Sequence, residues 1–190
     1  MDDIQYARAV CQRHFSELGQ GKINWRGLEL GPGDGLYSGL YAKVFGASQF
    51  VMIDDGNYAN LNLDNYTQLL KNLASVSSNN TNNNNPPRLV DILKSLDVHY
   101  YTNGLESIKN LPDSYYEFLF SNAVLEHVRR GDFQTLVKEM WRILKPGGIA
   151  SHVIDFRDHL SGGLNNLRFS RKIWESNWFA AGSGFYTNRY

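Results

Sequence analysis

The chain has one cysteine, Cys11, so an internal disulfide is excluded and a cytoplasmic setting is expected. It also lacks an excess of charge, because 19 lysines and arginines balance 19 aspartates and glutamates. Nucleic-acid-binding domains are normally more basic, so we predict no nucleic-acid partner. No apolar run is long enough to span a membrane, and the acidic start Met1-Asp2-Asp3 is atypical of a secretory signal. We therefore predict no membrane association.

Length and composition indicate one folded domain over residues 1–190. Of these 190 residues 42% are hydrophobic and 20% are charged, which is enough apolar material for a core. Apolar residues at helical spacing from Ile4 to Leu18 predict an amphipathic N-terminal helix within residues 1–21. Residues 77–87 are rich in asparagine and end in two prolines, which predicts an exposed, flexible loop within the domain.

A glycine turn between a strand and a helix dominates the first third of the chain. A strand pattern at residues 25–30 leads into glycines at every second position from Gly31 to Gly35, and apolar residues then recur at helical spacing. A second strand, residues 49–53, completes a βαβ unit and ends before Asp54. Glycines at such a turn let a ligand approach the backbone closely, because no Cβ intervenes.

The glycine spacing distinguishes this turn from other nucleotide-binding loops. The dinucleotide fingerprint needs glycine where Leu36 stands, and no Gly-Lys-Ser/Thr phosphate loop is present. The remaining pattern, acid-x-Gly-x-Gly-x-Gly from Glu29 to Gly35, resembles the first motif of the class I, Rossmann-like S-adenosylmethionine-dependent methyltransferases. The alternative is a turn that only packs a strand against a helix.

The resemblance implies S-adenosylmethionine as the cofactor. Its ammonium and sulfonium groups favour a nearby carboxylate, for which Glu29 is the candidate. The same motif implies that the cofactor lies against the backbone of Gly31, Gly33 and Gly35. Asp54 follows Gly33 by 21 residues, a spacing that suits an acid accepting hydrogen bonds from ribose hydroxyls.

A third strand, Val98–Tyr101, ends just before Gly104 and Leu105. Ligands of doubly wound sheets bind beyond the carboxyl ends of the strands. We therefore expect Gly104 and Leu105 beside the cofactor, with Leu105 covering the adenine. An ordinary strand-to-helix turn is an equally good interpretation of these two residues.

The fourth strand, residues 116–121, leads into the most distinctive run of the chain. From Ser121 to Val128 the sequence reads Ser-Asn-Ala-Val-Leu-Glu-His-Val, which is similar to the motif after strand four in the type 11 branch of these methyltransferases. The resemblance implies that Ser121 and Asn122 contact the cofactor. Two further stretches are similar to the family, residues 104–114 and the run Arg-Ile-Leu-Lys-Pro-Gly-Gly at residues 142–148. The four motifs lie in the family's order across residues 28–156, and their joint agreement is more specific than any one match.

These elements predict an α/β fold, a doubly wound Rossmann-like methyltransferase sheet of five parallel strands with the fifth at residues 148–156. A further helix is predicted at residues 168–179, within a substrate-side segment formed by residues 157–190. The family's sheet ends in an antiparallel hairpin that has no counterpart in this sequence. This difference indicates either a truncated chain or a natural loss of the last strands.

The resemblance implies an enzyme that moves a methyl group from S-adenosylmethionine to a small-molecule acceptor by in-line displacement. An acceptor that must lose a proton needs a base, and histidine side chains titrate near neutral pH. His127, just after strand four, is the first candidate, and its alternative role is to orient the turn or cap a helix. His152 and Asp155 are the next candidates.

Two further interpretations bear on these residues. His152 and Asp155 are an odd number of positions apart on a strand and so point to opposite faces, unless the strand ends between them, which argues against a metal site. A non-catalytic, methyltransferase-like module that binds a partner is the alternative to an enzyme. The sequence predicts neither the identity of the acceptor nor the oligomeric state.

Overall fold

The computed structural model describes residues 4–74 and 88–189. Its centre is a sheet whose strands are β1 (Trp25–Leu30), β2 (Ala47–Ile53), β3 (Val98–Tyr101), β4 (Tyr116–Asn122) and β5 (Leu144–Val153). The order across the sheet is β3-β2-β1-β4-β5, and each neighbouring pair is parallel. The chain therefore winds outward from β1 in both directions, and the predicted doubly wound sheet of five parallel strands is confirmed.

Helices cover both faces of the sheet. They are α1 (Ile4–Phe15), α2 (Tyr37–Val44), α3 (Thr67–Ala74), α4 (Leu89–Ser95), α5 (Gly104–Lys109), α6 (Arg130–Ile143), α7 (Arg171–Trp174) and α8 (Asn177–Gly182). Short 3-10 turns lie at Ser16–Leu18, Leu63–Tyr66 and Asn165–Arg168. The predicted N-terminal helix is thus α1 extended by one 3-10 turn.

Two apolar clusters lie on opposite faces of the sheet, as expected of strands that are buried on both sides. On one face, Phe118 and Phe120 of β4 pack with Phe15 of α1, at ring-centroid distances of 5.8 and 5.6 Å. On the other face, Leu119 of β4 belongs to a second cluster, together with Met140 of α6. Because successive residues of a strand alternate between faces, β4 contributes to both clusters.

The C-terminal segment differs from its predicted structure. A single helix at residues 168–179 is wrong, because two short helices, α7 and α8, take its place. Ser170 caps α7 by accepting a hydrogen bond from the Ile173 amide, and Ser176 caps α8 by accepting one from the Phe179 amide. A serine cap within the predicted helix begins a new helix and so divides the segment.

Other boundaries shift by a few residues. The fifth strand, predicted at residues 148–156, begins at Leu144 and ends at Val153. Among residues 4–74 and 88–189 no strand follows β5, so the described sheet has no final antiparallel hairpin. The flexible loop predicted at residues 77–87 lies outside the described residues. None of the described helices has the length and apolar character needed to cross a bilayer.

A histidine, His14, lies in the core between α1 and the sheet with 1% of its surface exposed. Its ring stacks on Phe120 with the centroids 4.6 Å apart, and its Nδ1 lies 2.8 Å from the Ser151 Oγ. Burial, assisted by the charge of Arg13, lowers the pKa of His14 from 6.5 to about 4. The imidazole is therefore neutral in the folded protein at physiological pH.

This lowered pKa predicts a loss of stability in acid, because unfolding lets His14 bind a proton at any pH between about 4 and 6.5. We expect His14→Gln, which keeps a hydrogen-bonding group near Ser151, to reduce the acid-induced loss by about 2 kcal/mol at pH 5. Denaturant unfolding at about pH 7.5 and pH 5 measures the difference. The control Ser151→Ala keeps the histidine and should retain the wild-type pH dependence. Equal acid sensitivity in His14→Gln and the wild type would contradict this explanation.

Candidate active site

The residues that follow the strands are tied together at one edge of the sheet. Backbone amides of three such residues donate to the last carbonyl of a neighbouring strand: Gly31 to Ile53 at 2.8 Å, Asp54 to Tyr101 at 2.9 Å and Ala123 to Val153 at 2.8 Å. These bonds extend the ladder of the sheet by one residue beyond each strand. They hold the first turns after β1, β2 and β4 at fixed distances from one another.

A cavity of about 500 Å³ opens at this edge. Its volume falls within the range of cofactor and small-molecule sites, roughly 300–1,000 Å³. The turns after β1, β2 and β4 form its floor, while α5 and the start of α6 form its side. Aliphatic side chains such as Leu105, Ile108 and Leu136 make up part of the wall, and Asp54 and Asp55 lie beside them.

The cavity brings together half of the site residues predicted from the sequence. Those that line it are Gly31, Gly33, Asp54, Gly104, Leu105 and His127. The others are not among its lining residues: Glu29, Gly35, Ser121, Asn122, His152 and Asp155. The first set comes from four different turns, which agrees with a site assembled from strand ends.

The glycine turn brings backbone to the cavity wall. Gly31 and Gly33 have φ values of +67° and +69°, a region that favours glycine. A Cβ on Gly31 would lie 2.4 Å from the Val124 Cγ2, whereas a Cβ on Gly33 would meet nothing within 4 Å. Gly31 thus allows the turns after β1 and β4 to touch, and Gly33 leaves open space at the cavity.

Asp54 is positioned by the same turn. Its Oδ2 accepts a hydrogen bond from the Gly33 amide at 3.0 Å, and its Oδ1 accepts one from the Asp55 amide at 3.0 Å. Partial burial raises the pKa of Asp54, and the two amide bonds oppose that shift. Each carboxylate oxygen has a further lone pair with which it can accept from a ligand hydroxyl.

Glu29 lies behind the turn, 4% exposed, where the Ser38 hydroxyl donates to its Oε2. Burial raises the pKa of Glu29 to about 8, with the Ser38 bond opposing and the charge of Asp54 adding to the shift. The carboxyl group is therefore mostly protonated at neutral pH. The negative charge on which the predicted attraction to a sulfonium depends is largely absent.

His127 is exposed on the cavity wall, and its ring packs edge-on against that of His159 at 4.8 Å. Its Nδ1 lies 3.1 Å from the carbonyl oxygen of Tyr186. Because a carbonyl can only accept, the neutral ring carries its proton on Nδ1 and keeps a lone pair on Nε2. This tautomer gives the side chain an acceptor suited to proton abstraction.

The other two predicted bases have different surroundings. His152 Nδ1 lies 2.8 Å from the Ser121 Oγ, so two predicted site residues bond to each other, and burial lowers the pKa of His152. Asp155 forms an ion pair with Arg157, which lowers the pKa of Asp155 to about 2. A carboxylate with so low a pKa is a weak base at neutral pH.

Asn122, the last residue of β4, lies toward α1. Its Nδ2 donates to the Tyr6 hydroxyl at 3.3 Å. It therefore links the end of β4 to the N-terminal helix. Within the described residues no group of three or more histidine, cysteine, aspartate or glutamate side chains is arranged to hold a metal ion.

Several lining residues were missed by the sequence reasoning, including Asp55, Tyr58, Val124, Arg129 and Asp132. Asp55 and Val124 follow strand ends almost directly, so the strand-end rule could have found them. Tyr58 and Arg129 depend on how their loops fold back, and Asp132 depends on where α6 packs, so no local pattern predicts them. The Nη2 of Arg129 is enclosed without a hydrogen-bond partner among the described residues.

A comparison with models of known protein families identifies the family of this chain. The model of a methyltransferase domain, the type 11 branch, matches residues 28–151, which is more than half of the chain. This chain belongs to that methyltransferase family. The class I, S-adenosylmethionine-dependent assignment made from the motifs is thereby confirmed, and no curated protein matches the chain significantly.

Solved structures with the same fold include phosphoethanolamine N-methyltransferase 2 of Haemonchus contortus with phosphomonomethylethanolamine and S-adenosylhomocysteine. It is 16% identical, with 95% of this chain and 34% of that one covered and a TM-score of 0.52. Its complex with S-adenosyl-L-methionine gives the same identity and coverage and a TM-score of 0.50. An S-adenosylmethionine-dependent methyltransferase from Mesorhizobium loti is 15% identical, with 78% and 55% covered and a TM-score of 0.47. The chain thus spans 34% to 55% of these proteins.

The methyltransferase turn makes a specific prediction about packing. Gly31→Ala should lower the free energy of unfolding by roughly 2–4 kcal/mol, because the new Cβ meets Val124 and φ is positive. Gly33→Ala shares the positive φ but has open space, so about 1–2 kcal/mol is expected. Adding Val124→Ala to Gly31→Ala removes the methyl groups that clash and should recover part of the loss. Denaturant unfolding measures all four proteins, and no recovery in the double variant would contradict the packing argument.

Proposed function

We propose that this methyltransferase binds S-adenosylmethionine in the strand-end cavity and transfers its methyl group to a small-molecule acceptor by in-line displacement. The observation that best supports this is the glycine turn beside Asp54, where Gly33 leaves open space at the cavity. The bound cofactor supplies a methyl group already activated on a sulfonium. The protein's main task is therefore to hold the reactants in line.

The lining residues suit the parts of this cofactor. Asp54 is held by two backbone amides and accepts hydrogen bonds from the ribose hydroxyls. Leu105 and Ile108, in α5, offer an apolar surface to the adenine. The backbone at Gly31 and Gly33 faces the remaining part of the cofactor. In this proposal Glu29 is neutral and stabilises the turn from behind through Ser38.

His127 is the proposed general base. Its Nε2 accepts the proton that an oxygen or nitrogen acceptor loses, while its Nδ1–H is held by the Tyr186 carbonyl. His152 is bonded to Ser121, and Asp155 is paired with Arg157, so both are weaker candidates. The Haemonchus contortus enzyme was solved with phosphomonomethylethanolamine, and it supports a small acceptor by analogy of fold alone.

Cofactor binding is tested at Asp54. We expect Asp54→Asn to weaken the binding of S-adenosylhomocysteine about 10- to 100-fold in a calorimetric titration, because the hydroxyl donors lose a charged acceptor. Asp64→Asn, an exposed acid outside the cavity, should keep the wild-type affinity. An unchanged affinity in Asp54→Asn, or no binding by the wild type, would refute the cofactor site. Tight binding without methyl transfer would instead favour the non-catalytic, partner-binding module.

Catalysis is tested at His127 by following labelled methyl groups from S-adenosylmethionine into a pool of small metabolites. His127→Gln should lower the rate of transfer roughly 100-fold or more, because an amide cannot take up the proton. His159→Gln alters the neighbouring exposed ring and serves as the matched control, with little expected change. Transfer at the wild-type rate by His127→Gln would exclude its role as base.

A further inference from the structure

We propose that Asn188 is a positioning residue that holds the loop after β4, residues 123–129, in the form that fixes the tautomer of His127. This inference rests on the proposed function only for its effect on methyl transfer, in which His127 is the base. The contacts that support it join this loop to C-terminal residues that lie outside the motif. They involve Tyr186, Thr187 and Asn188.

Asn188 makes three hydrogen bonds to carbonyl oxygens of the loop. Its backbone amide donates to the Glu126 carbonyl at 2.6 Å. Its Nδ2 donates to the carbonyls of Leu125 at 2.6 Å and Val128 at 3.0 Å. One asparagine thus binds three carbonyls around His127. Its side-chain nitrogen carries two N–H donors, one for each of two carbonyls.

These carbonyls need such a partner. The loop is neither helix nor strand, and the side chains of Leu125 and Glu126 are 4% and 2% exposed. Within the loop the Leu125 carbonyl accepts only a long bond, from the Val128 amide at 3.4 Å. Carbonyls without a good partner are costly to bury, so donors from elsewhere in the chain stabilise a loop of this kind. Asn188 supplies them from more than 55 residues away in the sequence.

Tyr186 adds the contact to the imidazole. Its carbonyl accepts from His127 Nδ1 at 3.1 Å. Its hydroxyl donates to Glu175 Oε2 at 2.9 Å and accepts from the Arg130 amide at 3.4 Å, at the start of α6. Tyr186 is only 5% exposed, and its carbonyl and its hydroxyl both have hydrogen-bond partners, so the residue is held in place.

The three residues are themselves anchored. The carbonyl of Thr187 accepts from the indole Nε1 of Trp174 at 2.7 Å, and Trp174 is fully buried. The Trp174 ring also packs against Tyr186 with the centroids 6.4 Å apart. The segment therefore presents a rigid backbone to the loop. The result is that the tautomer of His127 is set by residues 186–188 and not by the motif that contains it.

The test uses the tautomer itself, which is observable without a known acceptor. In the ¹⁵N spectrum of histidine-labelled wild-type protein, His127 should give the shift pattern of an imidazole with its proton on Nδ1. Asn188→Ala should move this pattern toward a mixture of tautomers and lower methyl transfer by up to about 100-fold, through misplacement of the base. Asn166→Ala is the matched control, since this buried asparagine bonds to Thr187 within the segment.

Each outcome decides the proposal. A wild-type ring with its proton on Nε2 would overturn it, even if Asn188→Ala failed to fold. The same tautomer shift in Asn166→Ala as in Asn188→Ala would also overturn it, because loosening of the whole segment would then be the cause. A tautomer shift confined to Asn188→Ala supports it. If His127→Gln kept full activity while that shift occurred, the positioning role would stand and only the role as base would fail.

Discussion

The hydrogen bonds that extend each strand by one residue are the constraint on which the site depends. They place Gly31, Asp54 and Ala123 on a common floor, each bonded to the end of a neighbouring strand. Because these three residues keep the spacing of the strands, the side chains that follow them are held at fixed distances from one another. Sites held by strand ends are more rigid than sites on free loops, which is what a positioning reaction such as methyl transfer requires.

The charges of the site follow from burial. The side chain of Glu29, in β1, is enclosed beside Ser38 of α2, and burial raises the pKa of its carboxyl group to about 8. Asp54, which is only partly buried and accepts two amide hydrogen bonds, faces the cavity together with Asp55. In the proposed function, the acidic first residue of the motif would therefore serve the packing of the turn, and the acids after β2 would provide the negative potential that a cationic cofactor meets.

Local sequence patterns predicted the strand order along the chain and several residues of the cavity. The strand limits at Val98–Tyr101 agree with the structure, because a short run with valine and tyrosines that ends at turn residues favours a strand. Gly31, Gly33 and Asp54 were expected at a ligand site and do line the cavity. Prediction was less successful where tertiary packing decides: alternation along β1 does not reveal that Glu29 is enclosed.

The C-terminal contacts show why the rest was out of reach. The motif around His127 is recognisable within eight residues, yet its hydrogen-bond partners, Tyr186 and Asn188, lie about 60 residues later. No periodicity links such positions, since loop-to-loop contacts obey neither the helical nor the strand repeat. If His127 is the base, the free lone pair on its Nε2 depends on a carbonyl that the motif does not contain. In that proposal a substitution near residue 186 changes the proton-accepting capacity of the motif without altering any of its eight residues.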